Sequence, residues 1–211
     1  MRRLPVYLVL DTSASMKGEP IEAVKRGIET MVGCLRRNPQ AIENVYLSVI
    51  TFDRVARVEV PLTDLASFQL PELNPSGQTA LGAALQLTAE KINTEVIRTT
   101  PDRKGDWKPI VFIMTDGTPM DDWRKGRDLF RSVKTAFTVA CAVGAHADTS
   151  VLKQITSQVI SLDKTDGDSM SRFFLWLSSS LGTASEKVES GEDLIGLDEL
   201  PPPPPDVNII T

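Results

Sequence analysis

Three short stretches of the chain carry hydroxyl and carboxylate side chains where predicted strands end or a predicted helix begins. The first holds Asp11, Ser13 and Ser15, the second holds Thr79, and the third holds Asp116. None of these stretches contains a histidine or a cysteine, so every candidate ligand atom is an oxygen. Oxygen ligands suit hard cations. If the three stretches meet, they predict a site for Mg²⁺, with Mn²⁺ or Ca²⁺ as alternatives.

The spacing of the first stretch suits a shared ligand. Asp11, Ser13 and Ser15 alternate along a segment that continues an extended strand, so their side chains project to the same side. Gly77 lies close to the second group and Gly117 to the third. Glycine permits the tight turns that would bring loops close to one ion.

The elements that must position these residues form an α/β pattern. Apolar runs of strand length alternate with amphipathic helical patterns, and the nearly continuous runs are typical of parallel strands covered on both faces. The predicted strands are Leu4–Leu10, Val45–Phe52, Ile110–Met114, Phe137–Val143 and Val159–Leu162. The predicted helices are Ile21–Arg36, Ala80–Ile97, Trp123–Thr135, Ser150–Ser157 and Met170–Leu181.

One interval breaks this alternation. Residues Val55–Val60 alternate apolar and polar side chains directly after the strand Val45–Phe52, and only Asp53 and Arg54 lie between the two segments. Two residues are too few for a crossover helix, so the pattern predicts a hairpin with one antiparallel edge strand. The predicted sheet is mostly parallel and has six strands.

The hairpin places the three oxygen-bearing stretches together. An antiparallel strand ends at the opposite edge from its parallel neighbour, so Pro61–Gln78 must return to the edge where Asp11 lies. The helix from Ala80 then runs to the opposite edge of the sheet, and the strand that ends at Met114 returns to the edge where Asp11 lies. The three stretches should therefore converge at the carboxyl edge of the sheet, where open α/β sheets bind ligands.

Length and charge restrict the class of protein. The 211 residues allow one domain with a substantial core, which we place at residues 1–183. Residues 184–211 form an acidic, proline-rich tail that is expected to be flexible, with polyproline II conformation at Pro201–Pro205. Seven of the acidic residues and only one basic residue lie in this tail, so the body is nearly neutral. A neutral body has no electrostatic footprint for nucleic acid.

Cysteine content and apolar runs indicate a reducing compartment. Cys34 and Cys141 are too few for a disulfide framework, and both are expected to be reduced and buried. No apolar run approaches the roughly 18 residues of a membrane span. The run Leu4–Leu10 contains Pro5 and ends at Asp11, so it is interpreted as a strand rather than a secretory signal. The sequence therefore predicts a cytoplasmic protein.

The motifs resemble those of a known family. The D-x-S-x-S motif with Asp11, Ser13 and Ser15, the later Thr79 and the T-D-G motif with Asp116 resemble the metal-ion-dependent adhesion site of von Willebrand factor A (vWA) domains. The resemblance covers roughly Arg3 to Leu181. It implies a three-layer α/β/α, Rossmann-like fold. More narrowly, the segments "LPVYLVLDTSASMKGEPIEAVKRGI", "PSGQTALGAAL" and "IMTDGTP" resemble bacterial tellurite-resistance proteins of the TerY type, which are thought to act beside a protein kinase and a PP2C-type phosphatase.

The resemblance also implies a division of roles within the site. Ser13 and Ser15 would bind the ion directly, Thr79 would bind directly or through water, and Asp11 and Asp116 would act largely through water and hydrogen bonds. A carboxylate of a protein partner would complete the metal shell. The implied protein is an interaction module without catalytic activity, and a kinase or phosphatase of the same system is a candidate partner.

Alternatives remain open for the same residues. Each of them, taken alone, could be a helix cap or a turn residue. An aspartyl phosphatase of the haloacid dehalogenase type also has an aspartate after its first strand, but Ser13 stands where its D-x-D motif has the second carboxylate. A structural subunit with a vestigial metal site is the third alternative.

The remaining polar residues carry weaker signals. The chain has no G-x-S-x-G elbow, so a serine hydrolase is not indicated, and His146, the one histidine, is interpreted as a loop residue. Asp121 and Asp122 could add ligands, or they could cap the helix that begins at Trp123. A basic group is expected to form a solvated rim at the opposite edge of the sheet: Arg98, Arg103, Lys104 and Lys108.

Overall fold

Strands and helices alternate along the chain in the computed structural model, which describes residues 2–144, 147–162, 167–191, 201–205 and 207–210. The strands are β1 (Leu4–Asp11), β2 (Val45–Phe52), β3 (Ala56–Asp64), β4 (Ile110–Thr115), β5 (Phe137–Val143), β6 (Gln158–Leu162) and β7 (Val207–Ile210). The helices are α1 (Glu19–Leu35), α2 (Pro39–Asn44), α3 (Leu81–Glu95), α4 (Trp123–Arg131), α5 (Thr149–Ile155) and α6 (Gly167–Glu189).

The strands form one sheet in the order β3-β2-β1-β4-β5-β6-β7. The five strands from β2 to β6 in this order are parallel to one another. The two edge strands are antiparallel, because β3 returns from β2 through a hairpin and β7 pairs with β6. The predicted α/β class and the antiparallel hairpin are confirmed, whereas the predicted count of six strands is one too low because β7 was not expected.

Two apolar layers cover the two faces of the sheet. Along β1, Val6, Leu8 and Leu10 pack in the layer that contains α1 and α6, whereas Tyr7 and Val9 pack in the layer that contains α3. All of these side chains are buried, which explains why the central strand is a continuous apolar run instead of an alternating one. The arrangement is the three-layer α/β/α architecture that the family resemblance implied.

The helix α1 follows from its own sequence. Pro20 lies in its first turn, where the missing amide hydrogen costs nothing, and Glu19 and Glu22 favour the positive end of the helix dipole. Its apolar residues recur at three- to four-residue spacing and are buried: Ile21, Val24, Ile28, Met31 and Leu35. The helix therefore begins close to the end of β1 and fixes the loop between them.

Two parts of the predicted tail, residues 184–189 and 207–210, lie in regular elements. The helix α6 continues to Glu189 instead of ending before residue 184, and the described residues of β7 pair with β6. The indole Nε1 of Trp176 donates a 2.7 Å hydrogen bond to the carbonyl of Pro201. Val207 is buried, so apolar contact holds this segment on the sheet. The acidic residues 192–200, on which much of the tail prediction rests, lie outside the described residues, as does His146.

The expectation that both cysteines are buried holds for only one of them. Both cysteines are free thiols, but only Cys141 is fully buried, and Cys34 is half-buried. Burial raises the pKa of the Cys141 thiol far above its usual range, so this thiol stays protonated. No helix in the described part of the chain is long and apolar enough to cross a membrane.

Candidate metal centre

The first loop begins where β1 ends. Asp11 is buried, and its Oδ1 accepts a 2.8 Å hydrogen bond from the amide of Ser13. The amide of Thr12 donates to the carbonyl of Phe52 at 2.8 Å, which ties the loop to the neighbouring strand β2. A short 3₁₀ turn, Ala14–Met16, then leads the chain toward α1. The carboxylate and the two serines are therefore held at the carboxyl edge of the sheet.

The second oxygen of Asp11 is bound from the third loop. The hydroxyl of Thr115, the last residue of β4, donates to Asp11 Oδ2 at 2.5 Å. Burial raises the pKa of Asp11, and the hydrogen bonds from Thr115 and Ser13 oppose this rise. The negative charge of Asp116 raises the pKa further. The charge of Asp116 therefore disfavours ionisation of Asp11, and a bound cation would relieve that repulsion.

A continuous chain of oxygens joins the first and third loops. Ser13 Oγ lies 3.1 Å from Ser15 Oγ, and Ser15 Oγ donates to Asp116 Oδ1 at 2.8 Å. In an octahedral shell with Mg–O distances of about 2.1 Å, neighbouring ligand oxygens lie about 3.0 Å apart. The spacing of the two serine hydroxyls therefore fits adjacent positions around such an ion.

The second loop brings its threonine to the same place. Thr79 is buried, and a Cβ atom added at Gly117 would lie 3.1 Å from Thr79 Oγ1. A side chain at position 117 would crowd this hydroxyl, so glycine is suited to the close approach of the two loops. The amide of Met120 donates to the Thr79 carbonyl at 2.9 Å and fixes the contact.

The structure brings all five predicted residues to one edge of the sheet. Asp11, Ser13, Ser15 and Asp116 are linked by hydrogen bonds, and Thr79 lies beside them across Gly117. In the described part of the chain, no group of three histidine, cysteine or acidic side chains lies close enough together to hold a metal ion. A cation here would therefore depend on hydroxyl ligands, and this donor set fits a hard cation.

Comparison with known proteins identifies the family. The sequence profile of the von Willebrand factor type A domain matches residues 6–172, which is most of the chain. The chain belongs to the von Willebrand factor type A family. Domains of this family commonly act as metal-dependent protein-interaction modules. A search of curated proteins found no match to the sequence.

Solved structures show the same vWA fold at low sequence identity. One is proximal thread matrix protein 1 of the mussel byssus with a zinc-occupied MIDAS motif (TM-score 0.60, 21% identity, 87% of this chain and 46% of that chain). Others are a von Willebrand factor type A protein from Catenulispora acidiphila (0.63, 14%, 86% and 43%) and the pilus adhesin SpaC from Lactobacillus rhamnosus GG (0.69, 11%, 87% and 31%). The chain spans less than half the length of each.

Backbone hydrogen bonds clamp the first two loops of the vWA domain together. The amide of Ser76 donates to the Thr12 carbonyl at 2.8 Å, and the amide of Ala14 donates to the Gly77 carbonyl at 3.2 Å. Gly77 has a φ of 71°, a conformation that side chains with a Cβ rarely adopt. The loops are therefore fixed relative to each other by main-chain atoms, which leaves the serine hydroxyls available for a ligand.

Asp53 joins the β2–β3 hairpin to the second loop. Its carboxylate accepts hydrogen bonds from the amide of Val55, the guanidinium of Arg57 and the hydroxyl of Ser76, and its carbonyl accepts from the amide of Ala80. Burial alone would raise the pKa of Asp53, but these hydrogen bonds outweigh it and hold the pKa below its usual range. The ionised side chain therefore anchors the segment that carries Thr79.

Asp121 has a different role from the two that the sequence suggested. Its two carboxylate oxygens accept hydrogen bonds from the amides of Gly82 (3.0 Å) and Ala83 (2.9 Å), so it caps α3 and not the helix that begins at Trp123. Asp122 occupies the N-cap position of α4 without a capping hydrogen bond from its side chain. Asp121 therefore positions the start of α3, directly after Thr79, from the loop that follows Asp116.

Thr115 and Asp121 are two residues of the site whose roles sequence reasoning missed. Thr115 directly precedes Asp116 and ends a strand, which is the one signal that could have marked it. The contact of Asp121 with α3 joins positions 38 and 39 residues apart, and no local pattern indicates it.

Proposed function

We propose that this vWA domain binds one divalent cation through Asp11, Ser13, Ser15, Thr79 and Asp116, and that a carboxylate of a protein partner completes the metal shell. Mg²⁺ is the proposed ion, with Mn²⁺ or Ca²⁺ as alternatives. The observation that carries the proposal is the continuous oxygen chain from Ser13 through Ser15 to Asp116.

The charge of the donor set explains why a partner carboxylate would be attracted. The ligands proposed for direct binding are neutral hydroxyls, so they leave most of the charge of the ion uncompensated. Both carboxylate oxygens of Asp11 already accept hydrogen bonds from the protein. An acidic side chain of a partner would therefore gain from contact with the ion, and the same saturation of Asp11 argues against its use as a phosphatase nucleophile.

Apolar side chains around the site offer a surface for the rest of that partner. Met120 is 66% exposed and Val55 is 49% exposed, and both lie in loops at the carboxyl edge. Exposed large apolar side chains next to a polar centre are typical of protein interfaces. We assign specificity to the loops Met16–Glu19, Asp53–Arg54 and Pro119–Trp123.

The biological setting is proposed on the resemblance of the sequence segments alone. We place the protein in a bacterial tellurite- or stress-resistance system of the cytoplasm, as an interaction module without catalytic activity. A kinase or a PP2C-type phosphatase of that system is the proposed partner. The zinc-occupied motif of the mussel protein supports occupation of this type of motif by a divalent ion.

Metal binding can be tested without knowing the partner. Ser15 is exposed, so Ser15→Ala should fold normally and weaken Mg²⁺ binding about tenfold or more in calorimetric titration. Ser190→Ala removes an exposed hydroxyl at the end of α6 and is the matched control. The proposed centre would be contradicted if Ser15→Ala bound Mg²⁺ as tightly as the wild type does. It would also be contradicted if the wild type bound none of Mg²⁺, Mn²⁺ and Ca²⁺.

Partner binding is tested by capture from the native lysate in Mg²⁺ and in EDTA. Asp11→Ala, after its fold has been checked by circular dichroism, is the second comparison, with Ser15→Ala in reserve because Asp11 is buried. A partner that is lost in EDTA and in the variants supports metal-dependent adhesion. A partner that is retained under all these conditions binds elsewhere and rules out the proposed role of the ion.

A further inference from the structure

A groove of about 600 Å³ lies at the amino edge of the sheet, opposite the metal centre. It runs between the end of α3, the segment that leads into β4 and the segment that follows α4. We call it the basal groove and define it by six of its lining residues: Val96, Ile97, Arg98, Trp107, Lys108 and Lys134. The sequence predicted only a solvated basic rim in this region.

The floor of the basal groove is apolar. Ile97 is 42% exposed, and Val96 and Trp107 are half-buried at the surface of the groove. Trp107 is held in place because its amide donates to the carbonyl of Arg3 at 2.9 Å and the guanidinium of Arg2 stacks 3.6 Å above its ring. A fixed aromatic and an exposed isoleucine offer apolar contact to a bound chain.

The rim of the basal groove is positive. Arg98, Lys108 and Lys134 are exposed, and none of them forms an ion pair with an acidic group in the described part of the chain. The one acidic residue in the lining, Asp106, is already neutralised: Arg3 pairs with it at 2.6 Å, and the amide of Ile97 donates to it at 2.8 Å.

The positive charge continues beyond the groove. An adjoining pocket is lined by Arg2, Arg103 and Lys104. The body as a whole is nearly neutral. These basic side chains nevertheless lie together at one edge of the sheet, so that edge is locally positive. Clustered cations of this kind attract an acidic ligand and speed its association.

We propose that the basal groove binds an acidic peptide segment with large apolar side chains, supplied by a protein partner. The cations would pair with aspartate or glutamate, and the floor would take leucine- or isoleucine-like side chains. A nucleic acid would use the cations but leave the aliphatic floor without a partner, so the combination favours a peptide. This surface goes beyond the proposed metal-dependent function and does not depend on it.

The test uses the full chain in EDTA, so that the metal centre cannot bind the acidic probe. The probe is a fluorescein-labelled peptide of alternating glutamate and leucine pairs, titrated by fluorescence anisotropy. Two matched peptides replace either the glutamates by glutamine or the leucines by serine. Saturable binding of the first peptide, with clearly weaker binding of both matched peptides, is the expected result.

Variants of the chain locate the binding. Lys108→Glu combined with Lys134→Glu, and separately Ile97→Ser, should each weaken the probe about tenfold. Arg37→Glu combined with Lys125→Glu makes the same change of net charge at exposed positions elsewhere on the chain and should leave binding unchanged. Circular dichroism verifies that each variant is folded.

Four results would overturn the proposal. They are an absence of saturable binding, equal binding of the glutamine peptide, equal weakening by the control pair, and tighter binding of a single-stranded oligonucleotide than of the peptide. The last result would identify the groove as a nucleic-acid surface instead. Because the measurement is made without metal, none of these results bears on the metal centre.

Discussion

Thr115 is the residue that fixes the orientation of the central carboxylate. Its hydroxyl donates a hydrogen bond to Asp11 Oδ2, and the amide of Ser13 donates one to Asp11 Oδ1. The carboxylate therefore cannot rotate without breaking a buried hydrogen bond. Substitution of residues that orient metal-site groups in this way commonly weakens metal binding about 10- to 100-fold. The centre therefore depends on a residue that we do not expect to touch the ion.

Replacing Thr115 by valine should weaken metal binding as well as stability. The change leaves Asp11 Oδ2 buried without its donor, which should lower the free energy of unfolding by about 1–3 kcal/mol. It should also weaken Mg²⁺ binding about tenfold or more. Urea unfolding and calorimetric Mg²⁺ titration measure the two effects.

Thr88→Val is the matched control for this variant. Thr88 is equally buried, and its hydroxyl donates to the carbonyl of Ala84 within α3. It should leave Mg²⁺ affinity unchanged, whatever its effect on stability. Equal Mg²⁺ affinity in both variants would show that the hydroxyl of Thr115 has no part in the centre.

Asp53→Asn should change how stability depends on pH. The depressed pKa of Asp53 means that its ionised form stabilises the folded state above the unfolded pKa of about 4, and that this contribution is lost as the pH falls through the folded pKa. The variant should be less stable than the wild type by about 1–2 kcal/mol at pH 7. The difference should shrink below about pH 4.

Urea unfolding between pH 2.5 and pH 7 measures this convergence, and Asp102→Asn, on an exposed loop, controls for the loss of one charge. A stability difference that stays constant over the whole range would show that the hydrogen bonds of Asp53 do not require its ionised form.

Residue types and spacing are sufficient to predict that the five candidate residues lie together. The reason is that each lies at the end of a strand or the start of a helix whose pattern is legible in the sequence. Thr115 and Asp121 could not be found in this way. Their partners, Asp11 and the first turn of α3, are distant in sequence, so their roles depend on tertiary geometry that no local pattern encodes.

At the scale of elements, the contact between α3 and α4 sets the distance between the second and third loops. A Cβ atom at Gly126 would lie 2.1 Å from the carbonyl oxygen of Gly82, and one at Gly82 would lie 2.6 Å from the Cα of Trp123. Both glycines are buried between the two helices. The helices α3 and α4, which follow the loops of Thr79 and Asp116, are therefore packed with their main chains in direct contact.

Gly126→Ala should push these helices apart. The inserted methyl group meets main-chain atoms that cannot rotate away, so the free energy of unfolding should fall by about 2 kcal/mol or more. The displacement should also weaken Mg²⁺ binding, because Thr79 would move away from Gly117. Urea unfolding and Mg²⁺ titration report the two effects.

Gly33→Ala is the control for Gly126→Ala and should have the opposite effect on the free energy of unfolding. Gly33 lies in α1, and nothing lies within 4 Å of the position of its added Cβ. The substitution should raise the free energy of unfolding by about 0.5–1 kcal/mol, because alanine loses less conformational entropy in a helix than glycine does. Equal destabilisation by both substitutions would refute the close-packing explanation for Gly126.

The existence and direction of the strands up to β6 could be predicted from the sequence, because the long apolar runs indicate parallel strands and the two-residue connection indicates a hairpin. The strand β7 could not. It has four residues and follows a run of prolines, so its pattern is too short to indicate a strand. What places it is the unpaired edge of β6 and the apolar contact of Val207, which only the assembled sheet provides.

At the scale of the whole molecule, β7 closes the far edge of the sheet. Val207→Asp should release it, because the change places a charge at a side chain that is 5% exposed, and the free energy of unfolding should fall by about 2 kcal/mol. Thermal unfolding and limited proteolysis of the C-terminal region measure this. Ile209→Asp is the control in the same strand, since Ile209 is 52% exposed. Equal effects of the two substitutions would mean that the strand is not held by the contact of Val207.

The two proposed binding surfaces lie at opposite edges of one rigid sheet. The helix α3 begins beside the metal centre and ends at the basal groove, and its 15 residues span about 22 Å. That separation is large enough for two protein partners to bind without contact between them. A module of this shape would hold its partners at a fixed distance and orientation.

The hydrogen bonds of the metal centre join residues that are far apart in sequence. Ser15 and Asp116 are 101 positions apart, and Asp11 and Thr115 are 104 apart. We expect such contacts to form late in folding, because the long loop between them must close first. A cation bound there would therefore stabilise the native state after the folding barrier has been crossed. We expect Mg²⁺ to slow unfolding while leaving the refolding rate almost unchanged, so the ion would extend the lifetime of the folded protein without helping it to fold.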